Sequence, residues 1–363
     1  MKEGWEYKKL GEVCSLYQPK TISSDMLVAD GEYPVYGANG IIGRYIQYNH
    51  EFSEVLVTCR GATCGTINIT TPFSWINGNA MVVQPKNDEL SKTYLAYALQ
   101  GIDLSDVITG AAQPQITRQT LSPKKIPIPP HIEQERIVSE LDLLTSIINK
   151  QKAQFKELDS LAQSIFYDMF GDPIENPNRW EVKKLEEVVD ITSSLIDPNQ
   201  EPYCYQYHVS PANILSGTGE ILECNLAKDD MLISGKYAFE KGMILYSKIR
   251  PNLNKVAIAP FNGICSADMY PLSIKEKANN VFICRLLLGK HFLEYAIKES
   301  GRARMPKINR ESLFAYTFPL PPLSLQQSFA SKIEAIEAQK ALITKSIEET
   351  QRLFDSRMDY WFA

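Results

Sequence analysis

Positions 137, 141, 144, 148, 151, 155, 158, 162, 165 and 169 step alternately by four and three, and read Ile, Leu, Leu, Ile, Gln, Phe, Leu, Ala, Ile, Met. Moving 192 positions on gives Phe329, Ile333, Ile336, Lys340, Ile343, Ile347, Thr350, Phe354, Arg357 and Trp361. Nine of the first ten and seven of the second ten are apolar. That is a heptad seam, which one helix uses against another, and not only the stripe of a surface helix. Neither stretch contains an internal Pro or Gly over nearly forty residues, whereas an average helix has about 11–12. At ~1.5 Å per residue each is expected to be a rod of roughly 58 Å. Two such rods in one chain are expected to pair as an antiparallel spacer; the alternative is that each packs on its own domain. Lys340, Thr350 and Arg357 interrupt the second seam, so that rod is expected to be looser or partly covered by a partner.

The frame around the rods is also written twice. Trp5-Glu6-Tyr7-Lys8-Lys9-Leu10-Gly11-Glu12-Val13 returns 175 positions later as Trp180-Glu181-Val182-Lys183-Lys184-Leu185-Glu186-Glu187-Val188. Pro114-Gln115-Ile116-Thr117-Arg118 returns at Pro306-Lys307-Ile308-Asn309-Arg310, and this second pairing runs to Leu141/Ile333 with nine identities in 28 positions. Among them are Pro127-x-Pro129-Pro130 against Pro319-x-Pro321-Pro322, and Gln134 against Gln326. The prolines stop a strand and set the entry to each helix. Ser324 with Gln327 fits a capping box in the second copy only. The offset grows between the two echoes, so a duplicated frame surrounds two unlike inserts.

This predicts four parts: blocks 1–130 and 172–322, a central helix over 131–171 and a C-terminal helix over 323–363. Gly171-Asp172-Pro173 and Glu175-Asn176-Pro177-Asn178 punctuate the passage from the first rod to the second block. Both blocks read as mixed α/β. Glu54–Cys59, Met243–Ser247 and Val256–Ala259 are strand-like, while Tyr94–Leu99 and Val281–Leu288 are helical. The fold class expected is α/β (α+β): two mixed α/β domains, two long helices pairing as an antiparallel coiled coil, and a pseudo-twofold internal repeat.

The chain has 363 residues, enough for two ordinary domains, with 44% hydrophobic and 22% charged residues, as expected of a folded chain and not of a disordered one. No stretch reaches the ~18 uncharged apolar residues of a membrane span. Met1–Glu6 has no apolar run behind its positive charge, so a cytoplasmic protein without a secretory leader is expected. The seven cysteines are scattered and no Cys-x-x-Cys pair occurs; neither a disulfide framework nor a zinc site is expected. Net charge is −5, but the blocks 1–130 and 172–322 carry only −1 and 0. The acidity lies mostly in the helices, and the blocks are free to present basic faces.

No catalytic constellation is present. There is no Gly-x-x-x-x-Gly-Lys-Ser/Thr loop, and Gly37-Ala38-Asn39-Gly40-Ile41-Ile42-Gly43 has the spacing of turns and not of a dinucleotide fingerprint. Asn176-Pro177-Asn178-Arg179 lacks the aromatic residue of an adenine methyltransferase site, and Glu181-Val182-Lys183 belongs to the repeated frame. Other segments point to binding. Val57–Thr66 runs from a strand into a loop with Arg60, Thr63 and two glycines, and Leu245–Lys255 occupies the same place in the second copy with Lys248, Arg250, Asn252 and Asn254. Arg pairs with guanine and Asn or Gln with adenine through two hydrogen bonds, and Lys holds phosphate. Equivalent loops lie at Gly110–Gln115, with Gln113 and Gln115, and at Gly301–Lys307, with Arg302, Arg304 and Lys307. Only the second of these is cationic, so the two copies are not expected to read the same sequence. Arg44, beside the glycine-rich segment, completes the candidate set. The simpler alternative for each is a polar hairpin tip.

The order of these motifs resembles that of type I restriction-modification specificity subunits over essentially the whole length. The resemblance rests on Tyr33–Gly43, the Arg60–Thr66 loop, Lys248–Asn254, Phe170-Gly171-Asp172-Pro173 and the doubled Pro-x-Pro-Pro. It implies two target recognition domains, each reading half of a split site on double-stranded DNA, with the helices as spacers and docking surfaces for two methyltransferase subunits. Nuclease/translocase subunits would join through those partners. S-adenosylmethionine and ATP would bind the partners, leaving this chain a non-catalytic subunit without cofactor or metal. A rod of ~58 Å limits the separation of the half-sites to roughly 17 base pairs. An acidic pI of about 5.6 predicts weak DNA binding by the lone chain. Two other readings are a scaffold that recruits two identical proteins without nucleic acid, and an enzyme with an unrecognised site.

Overall fold

The computed structural model describes residues 4–363 apart from 39, 111, 112, 192, 193, 302 and 303. It divides into two compact units, Met1–Lys152 with Lys345–Ala363, and Ala153–Thr344.

In the first unit the chain runs β1 (Glu6–Lys9), α1 (Leu10–Val13), β2 (Cys14–Tyr17), β3 (Tyr33–Gly37), β4 (Gly40–Tyr45), β5 (Val55–Thr58), β6 (Ile67–Ile69), β7 (Trp75–Ile76), β8 (Ala80–Pro85), α2 (Lys92–Gly101), α3 (Arg118–Leu121) and β9 (Lys125–Ile128), then enters α4 (His131–Phe170). The central sheet has the order β2-β8-β5-β6, antiparallel throughout. Its middle strands are apolar at nearly every position because both faces are covered. Val55, Val57, Met81 and Val83 join α2 in the main core, while Leu56, Ala80 and Val82 pack with Tyr36 and Ile76 of the smaller sheet β4-β3-β7. Ser91 caps α2 by accepting from the Tyr94 N–H.

The second unit repeats the plan with β10 (Val182–Lys184), β11 (Val189–Ile191), β12 (Leu195–Ile196), β13 (Tyr207–Val209), β14 (Lys236–Phe239), β15 (Ile244–Ser247), β16 (Val256–Ile258), β17 (Gly263–Cys265), β18 (Met269–Ile274), α5 (Asn280–Leu288), α6 (Lys290–Glu299), α7 (Arg310–Phe314), β19 (Thr317–Pro319) and α8 (Leu323–Phe362). Its central sheet, β11-β18-β15-β16, has the order of the first. One face packs Ile244, Tyr246 and Leu272 on α5, and the other packs Leu245, Ala257 and Met269 against the sheet β12-β14-β17-β13. The repeated Trp-x-x-Lys-Lys frame forms β1 and β10, which pair antiparallel with β9 and β19, the strands that lead into Pro-x-Pro-Pro.

Both long helices begin immediately after the last proline. The Pro130 carbonyl accepts from Glu133 and Gln134, and the Pro322 carbonyl from Leu325 and Gln326. The capping box expected at Ser324 is therefore not the start of α8: Ser324 lies inside the first turn, and the proline carbonyl plays the same part in both copies. Gln134 and Gln326, both 0% exposed, fasten that junction. The Gln134 carbonyl oxygen accepts from the Ser91 N–H at 2.9 Å, and its amide donates to the carbonyls of Glu89 (2.8 Å) and Pro129 (3.0 Å). Gln326 makes the same three bonds with Asn279 N–H, Lys277 and Pro321.

None of the twenty heptad positions is exposed. Within the first unit α4 and α8 run antiparallel, Glu140 facing Arg357 and Trp361, and Gln151 facing Ser346. Within the second unit Asp159 meets Lys340 and Phe166 meets Phe329. The three interruptions do not loosen α8. Lys340 is buried, 2.8 Å from Asp159 and 3.3 Å from Glu337, with its ammonium over the Phe155 ring. Arg357 grips the Glu140 carboxylate and lies over the Tyr360 and Trp361 rings. The Thr350 hydroxyl donates to the Ser346 carbonyl. Each of these polar side chains has a partner at the seam, and Gln151 donates to Ser346 while its own side-chain oxygen is left buried without one. Among the described residues no helix is long and apolar enough to cross a membrane, and no group of three or more His, Cys, Asp or Glu side chains is placed to hold a metal ion.

Candidate nucleic-acid interface

In the first unit β5 ends in a tight loop. Thr58 exchanges backbone hydrogen bonds with Thr66 and Gly65, and Gly65 takes the left-handed conformation (φ +93°) that this bulged closure needs. The loop is stitched to the segment 109–116. Cys59 C=O accepts from Ile116 N–H at 3.0 Å, Gly61 N–H donates to Pro114 C=O at 3.2 Å, and Arg60 forms a bridge with Gln115. On the other side Cys59 N–H donates to Asn79 C=O at 2.9 Å. Arg60, Gln113 and Gln115 are exposed on this edge, and Thr63 is half-buried.

The second unit builds the same lattice from different residues. Lys248 C=O accepts from Ile308 N–H at 3.0 Å, Arg250 N–H donates to Pro306 C=O at 2.8 Å, Lys248 N–H donates to Asp268 C=O at 3.0 Å, and Ile249 bridges Lys307. Lys248 thus stands where the first unit has Cys59, Arg250 where it has Gly61, and Lys307 where it has Gln115. The position of Gly61 is left-handed in both copies, at φ +88° for glycine and +47° for Arg250. A left-handed non-glycine residue costs on the order of 1–2 kcal/mol, so the fold holds Arg250 in a conformation its side chain does not favour. Arg250, Asn252, Arg304 and Lys307 are exposed.

Several candidates sit differently from expectation. Asn254 is a structural tie: its amide donates to the Leu288 carbonyl at 2.8 Å, closing the loop onto the end of α5. Arg44 is held by the carbonyls of Gly31 and Glu32, so its guanidinium shapes the turn before β3. Lys248 is buried, its ammonium 5.1 Å from the centre of the Tyr270 ring. Burial, and then the nearby Lys307 charge, push its pKa below the ordinary lysine value, while Asp268 opposes the shift. Arg302 lies outside the described residues.

Lys236, at the start of β14, was not among the sequence candidates. It is buried, donates to the Ser234 carbonyl (2.7 Å) and hydroxyl (2.9 Å), and has a pKa lowered by burial. Between the two lysines, Cys265 is pushed up to about 12 by burial despite both charges. Lys236 falls in the insert, where no repeat marks it, and only the register of β14 on β17 places it here.

The Type I restriction modification DNA specificity domain matches residues 2–157 and 177–352. The specificity subunit of the type I restriction enzyme EcoDI of Escherichia coli is 27% identical over 382 residues, covering 94% of this chain and 83% of that protein. That of MjaVIII of Methanocaldococcus jannaschii is 24% identical over 392 residues, covering 96% and 90%. The fold is shared with the type I restriction-modification S subunit of M. genitalium, at a TM-score of 0.63 and 13% identity over 99% of this chain and 96% of that one. With both halves of the repeat matched, the chain belongs to the type I restriction-modification specificity family, whose role is DNA sequence recognition.

Proposed function

We propose that the chain reads an asymmetric, two-part site on double-stranded DNA, one half per unit, and directs adenine methylation and restriction by partner subunits. The observation that carries this is a hydrogen-bonded lattice built once in each unit and bearing unlike side chains: Arg60, Gly61 and Gln115 in the first unit, and Ile249, Arg250 and Lys307 at the matching places in the second. A common backbone frame aims both sets alike, and differing sets select differing bases. Arg60, Gln113 and Gln115 are assigned to one half-site, and Arg250, Asn252 and Arg304 to the other, since Arg and amide side chains pair bidentately with guanine and adenine. The long helices set the spacing of the half-sites and offer docking surfaces to two methyltransferase subunits, through which nuclease/translocase subunits join. S-adenosylmethionine and ATP belong to those partners, and this chain positions DNA and performs no chemistry.

Single-molecule methylation sequencing of host DNA with the gene intact and deleted tests the reading. Loss of one asymmetric, two-part adenine-methylation motif is the expected result. A motif that persists after deletion, with no methyltransferase recovered on the tagged chain, overturns it.

A further inference from the structure

We propose that Lys236, Lys248 and Lys307 form a site for the DNA backbone phosphate that exists only in the second unit, so that the second half-site carries most of the sequence-independent affinity. The inference rests on the DNA reading above and adds an inequality that a duplicated fold does not suggest.

The first argument is burial. Lys236 and Lys248 are 5% and 8% exposed, although lysines ordinarily extend their ammonium groups to water. Among the described residues neither has a carboxylate within ion-pair distance, and the same holds for Lys307; Asp230 pairs instead with His208, and Glu337 with Arg285 and Lys340. A buried ammonium without a counter-charge is costly. Among the described residues the carboxylate that acts on both buried lysines is that of Asp268.

The second argument is convergence. The register Tyr237↔Cys265 sets Lys236 beside Ser266. Ser266 begins the turn to Asp268, whose carbonyl receives the Lys248 N–H at 3.0 Å. Ile308 N–H closes on the Lys248 carbonyl, next to the Ile249–Lys307 bridge. The backbone therefore brings three lysines around one turn, whose carboxylate, Asp268, acts on both buried ammonium groups. An oxyanion held among them relieves their repulsion and accepts the N–H groups that Lys248 and Lys307 leave unused. Arg250 stands on the same loop, so the oxyanion that fits is the phosphodiester of a duplex whose bases Arg250 faces.

The third argument is the comparison built into the chain. The lattice places neutral Cys59 and Gln115 where the second unit has Lys248 and Lys307, and in place of the β14 pairing the first unit has an antiparallel bridge of His50 with Ser74, in a stretch, 46–52, that contains no lysine. Among the described residues of the first unit's lattice only Arg60 is cationic.

The test is the salt dependence of duplex binding by the full-length chain. Each phosphate contact contributes roughly 0.9 to the slope of log K against log salt. The pair Lys248→Met with Lys307→Gln should reduce the slope by about two, and Arg60→Gln by at most about one. Lys307→Gln alone, at an exposed position, should reduce it by about one and guards against misfolding of the pair. An unchanged slope in the pair, or an equal fall in Arg60→Gln, overturns the proposal while leaving the DNA reading intact. Absence of duplex binding by the wild-type chain at every salt concentration, together with an unchanged methylome, overturns both. Inorganic phosphate should raise the thermal midpoint of wild type more than that of the pair. Such stabilisation with an unchanged DNA slope would assign the site to a free anion and also overturn the proposal.

Discussion

Replacing Gln134 by leucine tests whether one buried amide locks the first unit to its long helix. The volume is nearly kept, but the Ser91 N–H and the carbonyls of Glu89 and Pro129 all lose a partner, at a site that is 0% exposed. Three hydrogen bonds at about 1 kcal/mol net each, with orphaned groups costing ~1–3 kcal/mol, set a gross loss of about 4 kcal/mol. The added apolar surface of leucine returns ~1 kcal/mol, leaving about 3 kcal/mol. The two units need not unfold together, so a single denaturation midpoint is a poor readout. Hydrogen exchange by mass spectrometry resolves them. Amides of α2 should lose protection by that amount while those of α5, held by the equivalent Gln326, stay unchanged. Gln326→Leu should give the reverse. A loss under ~1 kcal/mol in α2, or equal losses in both helices, would mean that the apolar core alone holds the junction.

Three shorter predictions follow from the same geometry. Arg250→Gly places in the second unit the residue that the first already has there, relieves the left-handed strain, and should preserve stability while costing ~1–3 kcal/mol of discrimination at one base position; a uniform loss over all sequences in a binding selection would make Arg250 a phosphate contact. Removing seven residues from each long helix in register shortens each by ~10.5 Å, about three base pairs, and should shorten the gap of the methylated motif without altering either half; a changed half-site counts against a spacer role. A hydrogen bond from Arg357 holds the Glu140 carboxyl below its ordinary value of 4.5. Its contribution is therefore fully present above that value and is lost as pH falls through the lowered one. Denaturant midpoints of the first unit should fall over that acid range, and Glu140→Gln should flatten the fall.

The long helices were legible because a heptad pattern needs no tertiary information: every predicted seam position is buried or half-buried. The frame was legible because it is written twice, and even the lock at Gln134 and Gln326 stood out as an identity. The sheet order was not. Val55-Leu56-Val57 faces α2 and the smaller sheet alternately, yet an all-apolar run carries no periodicity from which to read this. Site residues divided along the same line. Arg60 with Gln115, and Arg250 with Lys307, lie on the equivalent lattices of the two units because neighbouring residues pair there, a relation the repeat exposes. Asn254 and Arg44 look like readers in the sequence, but each is tied to a distant or turn carbonyl that only the fold supplies. Lys236 was invisible for the complementary reason: it falls in the insert, and only the pairing of β14 on β17 brings it beside Ser266.

The two copies also indicate why such a chain can change what it reads without losing its fold. Where a central strand meets its helix, the Ser53 carbonyl accepts from the Lys92 ammonium at 2.8 Å, with Glu54 beside it; at the matching place the Gly242 carbonyl accepts from the Asn280 amide at 3.1 Å. An ion pair and an amide thus satisfy one backbone position equally. At the interface four backbone contacts recur between residues as unlike as Cys59 and Lys248 or Gly61 and Arg250. Stability resides in backbone pairing and the apolar faces of the central sheet, which every suitable sequence can make. The candidate reading side chains add little to that pairing, and Arg250 works against it, since a left-handed arginine costs on the order of 1–2 kcal/mol that glycine would avoid. A left-handed arginine at a place where the other copy has glycine is therefore the position at which Arg250→Gly separates what reading the ligand requires from what folding requires.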